Sequence, residues 1–322
     1  MLEETPPLFR LLAIQLIEAS EKVVIKRGAL RLEIEGAESL QFLQRLQHKI
    51  SNKEVTISEI IAFFPENQRQ IARRLIAYLK ANHLLVHVNQ FSSILDQQND
   101  PIDTFYWHFG MDKSRISKQI ETAALCVIGQ NPLGTAIHNT MLESGIKNRS
   151  QLSSGFLPSI DLNENKINQN NIQALQNCQL MIATSAIGDV QRLLAFNQLA
   201  FEQKIPYLPV MLLDMQGVIG PLMIPGKTPC LACLLSPINA HVLHFEEEHY
   251  NADFKFHSPS SEAYHPSMLQ TTAAISAFEI NRYFLGIRGR IIGHLLQINL
   301  LDSTLNRQEI YRDPRCMVCS KT

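Results

Sequence analysis

Apolar and polar positions alternate in short runs through the first ninety residues. "LLAIQLI" (Leu11–Ile17), "KVVIK" (Lys22–Lys26) and "LRLEI" (Leu30–Ile34) are β-prone and separated by polar or Gly-containing turns. Three helical patterns follow. Glu38–Lys49 carries Leu40, Phe42, Leu43 and Leu46. Thr56 is placed to cap a short helix with Ile57, Ile60 and Ile61. Gln68–Ala81 sets Ile71, Leu75 and Leu79 on one face. A last β-prone run is Leu84–Val88. Strands, three helices and a terminal strand predict a small winged-helix-type domain over residues 1–90.

Residues 91–120, with "DQQNDP" and the single tryptophan Trp107, read as a linker and a lead-in helix. The pattern then changes. In 121–322, buried runs such as "ALCVIG", "CQLMIAT" and "PYLPVML" alternate with helices from about Leu133 to Ser144 and Val190 to Glu202. Such alternation predicts a parallel α/β sheet. The Asn/Gln-rich stretch 161–177 reads as a surface loop, and the polar stretch 245–267 as a crossing loop. A helix over 267–286 and a β-prone run close the chain.

Composition narrows the function classes. The 322 residues suffice for two domains, and a formal net charge of −1 gives no overall pull toward nucleic acid or an anionic membrane. The N-terminus is acidic before its apolar stretch, unlike a secretory signal, and no uncharged apolar run reaches the roughly 18 residues of a membrane span. A cytoplasmic protein with no membrane partner is expected. Residues 1–90 hold 12 Lys/Arg against 10 Asp/Glu, less basic than DNA readers usually are.

Four of the six cysteines stand in two C-x-x-C pairs, Cys230/Cys233 in "PGKTPCLACL" and Cys316/Cys319 in "DPRCMVC". In a reducing compartment two such turns suit a closed tetrahedral zinc site, one ion per chain, better than disulfides. Two unrelated buried motifs and a redox dithiol are the other readings. Cys126 and Cys178, in apolar runs, look like small buried hydrophobes. His244 and His249 flank "FEEE" without metalloprotease spacing and read as part of a solvated acidic loop.

"VIGQNPLG" follows a strand and opens a helix. Gly129 and Gly134 hold the outer positions of G-x-G-x-x-G, but Asn131 replaces the middle glycine and Pro132 removes a donor. No acidic partner for a ribose follows about 20 residues on. The turn keeps the shape of a nucleotide site without its chemistry, and ATP binding is not expected.

The glycine turn, "GPLMIPGKTPCLACL" and "DPRCMVC" together resemble the ThiF/MoeB family, relatives of ubiquitin-activating enzymes, over about 110–322. The "SNLxRQ"-type arginine motif of active members has no counterpart. Thr184 and Ser185 stand where acidic and amide groups are expected, implying lost adenylation. A closer resemblance is to the ThiF-like proteins of thiazole/oxazole-modified peptide biosynthesis, whose "G-P-L-x-x-P-G-x-T-P-C-x-x-C" matches Gly220–Cys233 nearly throughout. That resemblance implies an N-terminal winged-helix-like peptide-recognition domain, then a degenerate Rossmann-like ThiF-type α/β domain (121–322) with a four-cysteine zinc site. It implies a non-catalytic subunit that binds a precursor-peptide leader and presents the core to a YcaO-type cyclodehydratase. It further implies a homodimer or hetero-oligomeric synthetase, with a flavin-dependent dehydrogenase as a further partner. An adenylating enzyme and a winged-helix DNA regulator are the rivals.

In this reading an extended leader adds a strand at Leu30, Arg31, Leu32, Glu33 and Ile34. The third helix, with Arg69 and Arg73 on roughly one face, contacts its acidic side chains.

Overall fold

The computed structural model describes residues 6–19, 22–36, 39–50, 53–88, 101–111, 113–153, 175, 177–186, 188–213, 215–242, 263–287 and 291–320. His244 and His249, and most of the predicted loops at 161–177 and 245–267, lie outside them. The chain divides into two compact units, 1–118 and 119–322. Among the described residues no helix is long and apolar enough to cross a membrane.

In the first unit the predicted run Leu11–Ile17 is two strands in two sheets. β1 (Phe9–Leu11) is continuous with a bridge from Phe9 to Val55, and pairs antiparallel with β5 (Leu85–His87). β2 (Gln15–Ala19), β3 (Lys22–Arg27) and β4 (Leu30–Glu35) form a separate antiparallel meander. The break falls between them because side chains can satisfy the carbonyls there. The Arg27 guanidinium donates to Ala13 O at 2.6 Å and Gln47 Nε2 to Ile14 O at 3.2 Å. A two-residue turn at Gly28–Ala29 joins β3 to β4, with Gly28 at φ 55°.

The three predicted helices follow as α1 (Ser39–Ile50), α2 (Ile57–Ala62) and α3 (Arg69–Ala81). Thr56 does cap α2: its hydroxyl accepts from Glu59 N, and the Glu59 carboxylate accepts from Thr56 N at 2.7 Å, a reciprocal capping box. One expectation for α3 is corrected. Its buried stripe is Ala72, Leu75, Ile76 and Leu79, and Ile71 is 60% exposed. Ile71 lies at the stripe's margin, so the core takes the residues around it. The lead-in helix, α4 (Pro101–Trp107), packs into this unit: Trp107 joins its core and donates Nε1–H to His83 O at 3.0 Å.

Helix α5 (Lys113–Thr122) leads to the second unit, which is α/β. Its elements are β6 (Ala124–Ile128), α6 (Pro132–Glu143), β7 (Asn148–Leu152), β8 (Leu180–Ser185), α7 (Val190–Glu202), β9 (Tyr207–Leu213), β10 (Gln216–Ile219), α8 (Leu231–Leu234), α9 (Pro266–Phe284), β11 (His294–Asn299) and β12 (Thr304–Glu309). The seven-stranded sheet runs β12-β11-β10-β9-β8-β6-β7. It is mixed: β7, β6, β8 and β9 are parallel, while β9 through β12 pair antiparallel. Every residue of β6, β8 and β9 is buried, as expected where helices cover a parallel sheet. Gly217 allows α9 to lie close to β10, since a Cβ there would sit 2.1 Å from Thr272 Oγ1.

Candidate functional site

The "PGKTPC" segment is held by its own turn chemistry. Lys227 N donates to Ile224 O across Pro225 and Gly226, with Gly226 at φ 75°, a type II arrangement. Thr228 Oγ1 accepts from Ile224 N at 2.7 Å. The chain then enters α8 with Cys230 at its N-cap, and Cys233 N and Leu234 N both donate to Cys230 O. At the other end, Asp313 O accepts from Cys316 N, and Asp313 Oδ1 accepts from Arg315 N. Each local fold turns two thiols the same way.

The structure brings all four together. Cys230 Sγ lies 3.9 Å from Cys233 Sγ and 3.6 Å from Cys316 Sγ, and Cys233 Sγ lies 3.3 Å from Cys319 Sγ. All four sulfurs fall within 4.8 Å of one another, all are buried, and none is in a disulfide. Four sulfurs at roughly 2.3 Å from a tetrahedral zinc stand about 3.8 Å apart, so the spacing fits such an ion. The Cys316 thiol is pushed down to about 4 by the hydrogen bond from Cys230, and also by the N–H groups of Cys319 and Val318. Cys319 is pushed down to about 7, chiefly by Cys230. Cys230, surrounded by the other three, is raised. Negative charge therefore settles on the C-terminal turn, where backbone donors converge.

Asn239 is a residue that sequence reasoning missed. It is fully buried and joins the two cysteine turns. Its Nδ2 donates to Cys233 O and to Tyr311 O, each at 2.8 Å, and its Oδ1 accepts from Tyr311 N at 2.9 Å. Only the "CLACLLSPIN" adjacency hinted at it. Of the two remaining cysteines, Cys126 is buried as expected, whereas Cys178 is only partly buried against the core. Burial pushes the Cys178 thiol up to about 12 and raises Cys126 as well.

At the glycine turn the side chain of Asn131 takes up the local donors and acceptors. Asn131 caps α6: its Oδ1 accepts from Gly134 N at 3.0 Å, while Nδ2 donates to Thr184 O and Oγ1, each at 3.0 Å. Gly129, at φ 125°, is required for packing, since a Cβ would meet Thr184 Oγ1 at 2.3 Å. A Cβ at Gly134 would meet Gly129 O at 2.2 Å. Gln151 of β7, also unforeseen, donates to Gly129 O at 3.1 Å. The turn's groups are thus spent on β8, β7 and each other.

In the first unit β4 is an edge strand. Among the described residues it pairs only with β3. The two-residue turn makes Arg27 and Leu30 partners, so the backbone groups of Leu30, Leu32 and Ile34 face β3, while those of Arg31 and Glu33 face outward. Side chains alternate as well: Leu32 is buried, and Arg31 and Glu33 are exposed. Lys22 first, then Arg31, hold the Glu33 carboxyl below its ordinary range, at 2.6 and 3.0 Å. Beside the end of β4 lies an apolar groove of about 360 Å³, lined by Ile34, Gly36, Phe42, Leu43, Ile71 and Leu75 among others. Arg69 and Arg73 do not line it. At about 100° per residue they sit roughly 130–170° around α3 from the groove-facing Gln68, Ile71 and Leu75. Arg69 Nε instead donates to Phe64 O at 3.4 Å. The predicted strand is at the groove, and the predicted arginines are on the other flank of the helix.

No family model matches the sequence, and no curated protein matches it. Solved structures do match. The heterocyclase TruD shares 17% identity over 98% of this chain, with a TM-score of 0.62. E. coli MccB with AMPCPP and MccA shares 13% identity over 98% of this chain and 100% of that one, with a TM-score of 0.65. MccB with a succinimide gives 14%, the same coverage and 0.66. This chain spans 43% of the TruD chain, less than half of its length. The fold is therefore that of these solved structures along nearly the whole chain.

Proposed function

We propose that the chain is a peptide-binding subunit of an azoline-forming synthetase. Its winged-helix-like first unit takes an extended precursor leader on the β4 edge, and presents the core to a YcaO-type ATP-dependent cyclodehydratase. The observation that carries this reading is the outward-facing backbone of Arg31 and Glu33 beside an apolar groove with a largely exposed Ile71. Main-chain pairing supplies affinity there, and the groove supplies selectivity. The fold shared with a heterocyclase solved with substrate and cofactor, and with MccB solved with MccA, supports it. A homodimeric or hetero-oligomeric assembly, a flavin-dependent dehydrogenase partner and a cytoplasmic location follow from the same reading.

One zinc held by Cys230, Cys233, Cys316 and Cys319 completes this picture. When bound, it closes the C-terminal turn onto α8 with no open coordination position, a structural and not a hydrolytic role.

The rival is an adenylating enzyme, favoured by the match to MccB solved with ATP. Against it stands Asn131, whose amide occupies the turn where a phosphate would approach. Calorimetry with ATP on the isolated chain separates the two. Weak or no binding is expected, and micromolar affinity with pyrophosphate release would decide for the enzyme. The peptide reading is tested by fluorescence anisotropy with the leader encoded beside this gene. Glu33→Pro, which removes an outward donor, should weaken binding. Leader binding that is undiminished when β4 is changed and its groove is filled would refute it.

A further inference from the structure

A second pocket lies along α1 from the apolar groove. It encloses about 300 Å³ and is lined by Gln44, Arg45, His48, Lys49, Phe63 and Phe64. The wall between the two is an aromatic stack: Phe42 belongs to the groove, Phe64 to the second pocket, and their rings lie 4.1 Å apart at 9°. Among the described residues neither Arg45 nor Lys49 has a carboxylate within ion-pair distance.

Basic residues in the last turn of a helix are explained in part by its dipole, and His48 and Lys49 stand there. The dipole does not explain the aromatic floor. Phe63 is 42% exposed beside these basic residues. A cationic rim over an exposed ring suits a carboxylate carried on a short apolar stem. A nucleic-acid phosphate fits less well, because residues 1–90 carry nearly balanced charge.

We infer that this pocket receives an acidic side chain of the same peptide whose apolar residue fills the neighbouring groove. The inference rests on the peptide-binding reading and adds a charge pattern to it. Along α1 the groove residues Phe42 and Leu43 and the basic residues Arg45, His48 and Lys49 are offset by about five positions, roughly 7 Å of rise, and by about 120° around the helix, roughly 10 Å across its side-chain surface. Together these separate the two pockets by about 12 Å, which an extended chain covers in about four residues. The recognised peptide is thus an extended segment with a large apolar residue and an Asp or Glu about four positions away.

The test is selection of a random twelve-residue display library on the full chain. It is repeated with the Arg45→Glu, Lys49→Glu double variant and, as a milder pair, Arg45→Gln with Lys49→Gln. Far-UV circular dichroism checks that each is folded. The wild type should enrich an apolar residue with an acid at that spacing. Both variants should keep the apolar preference and lose the acid. A wild-type-selected peptide should bind the Glu variant about tenfold more weakly at low salt. Enrichment of an apolar residue without an acid in the wild type overturns this inference and leaves the peptide reading standing. No enrichment of any kind overturns both. A labelled twenty-nucleotide DNA strand that binds the wild type and is released by the Arg45/Lys49 change would assign the pocket to nucleic acid instead.

Discussion

The cysteine cluster and the β4 groove are built in opposite ways. The four thiols come from two short turns whose local chemistry is complete within each turn: Pro225–Gly226 and Thr228 shape one, Asp313 the other. Bringing the turns together needs only that the C-terminal end of the second unit return to α8. The groove has no such local unit. Its walls come from β4, α1 and α3, and which helix face looks into it depends on how α3 packs on the core. A site made of spaced ligands survives changes around it, whereas a site made of surfaces moves when one helix rotates.

Breaking the cluster should have the largest effect. Cys316→Ser removes the thiol most disposed to carry charge and opens a buried shell. Loss of stability on the order of 5 kcal/mol is expected, part of the roughly 10–16 kcal/mol by which zinc stabilises small structural sites. Metal analysis should read one zinc per wild-type chain and none in the variant. A strong chelator should lower the wild-type Tm and leave the variant's unchanged. Freshly purified wild type without zinc would remove the basis of the comparison.

Asn239 sharpens the same side. Asn239→Ala removes the partner of the Tyr311 carbonyl and N–H, and one of the donors to Cys233 O, which keeps Ser236 N and Oγ. A loss of about 2–3 kcal/mol is expected from chemical denaturation, with zinc content retained. A variant that lost its zinc would make Asn239 part of metal retention and not only a tie between turns.

On the groove side, the expected change is in binding and not in folding. Ile71 is largely exposed, so Ile71→Asp should alter stability by no more than about 0.5 kcal/mol. Leader affinity should fall about tenfold or more, because a central apolar contact is lost. Arg69→Glu with Arg73→Glu, on the far flank of α3, should do less. If the double arginine change proves the more damaging, the peptide lies along the other flank, and the groove is not its seat.

What the sequence made legible follows the same division. β6, β8 and β9 of the parallel half, the cap at Thr56, and each of the two C-x-x-C pairs depend on residues a few positions apart, and each could be read directly. β12 could not: its residues are nearly all exposed and show no alternation, so only its pairing with β11 defines it. β7 is likewise polar and partly exposed at the sheet's edge. Ile71 matched a helical repeat, but the stripe that packs is shifted to Ala72 and Ile76, a choice made by the core. Asn131 was recognisable as a departure from a glycine pattern. That its amide would bridge Gly134 and Thr184 required β8 to be beside the turn.

The smallest effect concerns pH, and it acts on the pocket side through α2. Glu59 accepts the backbone N–H of Thr56, then its hydroxyl, and these bonds hold its carboxyl below the ordinary value of 4.5. A depressed folded-state value means that the bonds stabilise the ionised form. Their contribution is present above the unfolded value, near 4.5, and is lost as pH falls through the lower folded value. Because Glu59 is exposed, global stability should scarcely register the change. The start of α2 should register it, since protonation removes half of its capping box. Phe63 and Phe64 directly follow this helix and line the basic pocket. Amide protection at Thr56 and Glu59, taken relative to the intrinsic exchange rate at each pH, should therefore fall below about pH 4.5, before the second unit responds. Glu59→Gln keeps an acceptor for Thr56 N–H but cannot titrate. It should flatten that pH dependence while leaving α2 formed. Equal pH dependence in the wild type and Glu59→Gln would show that another group governs the start of α2.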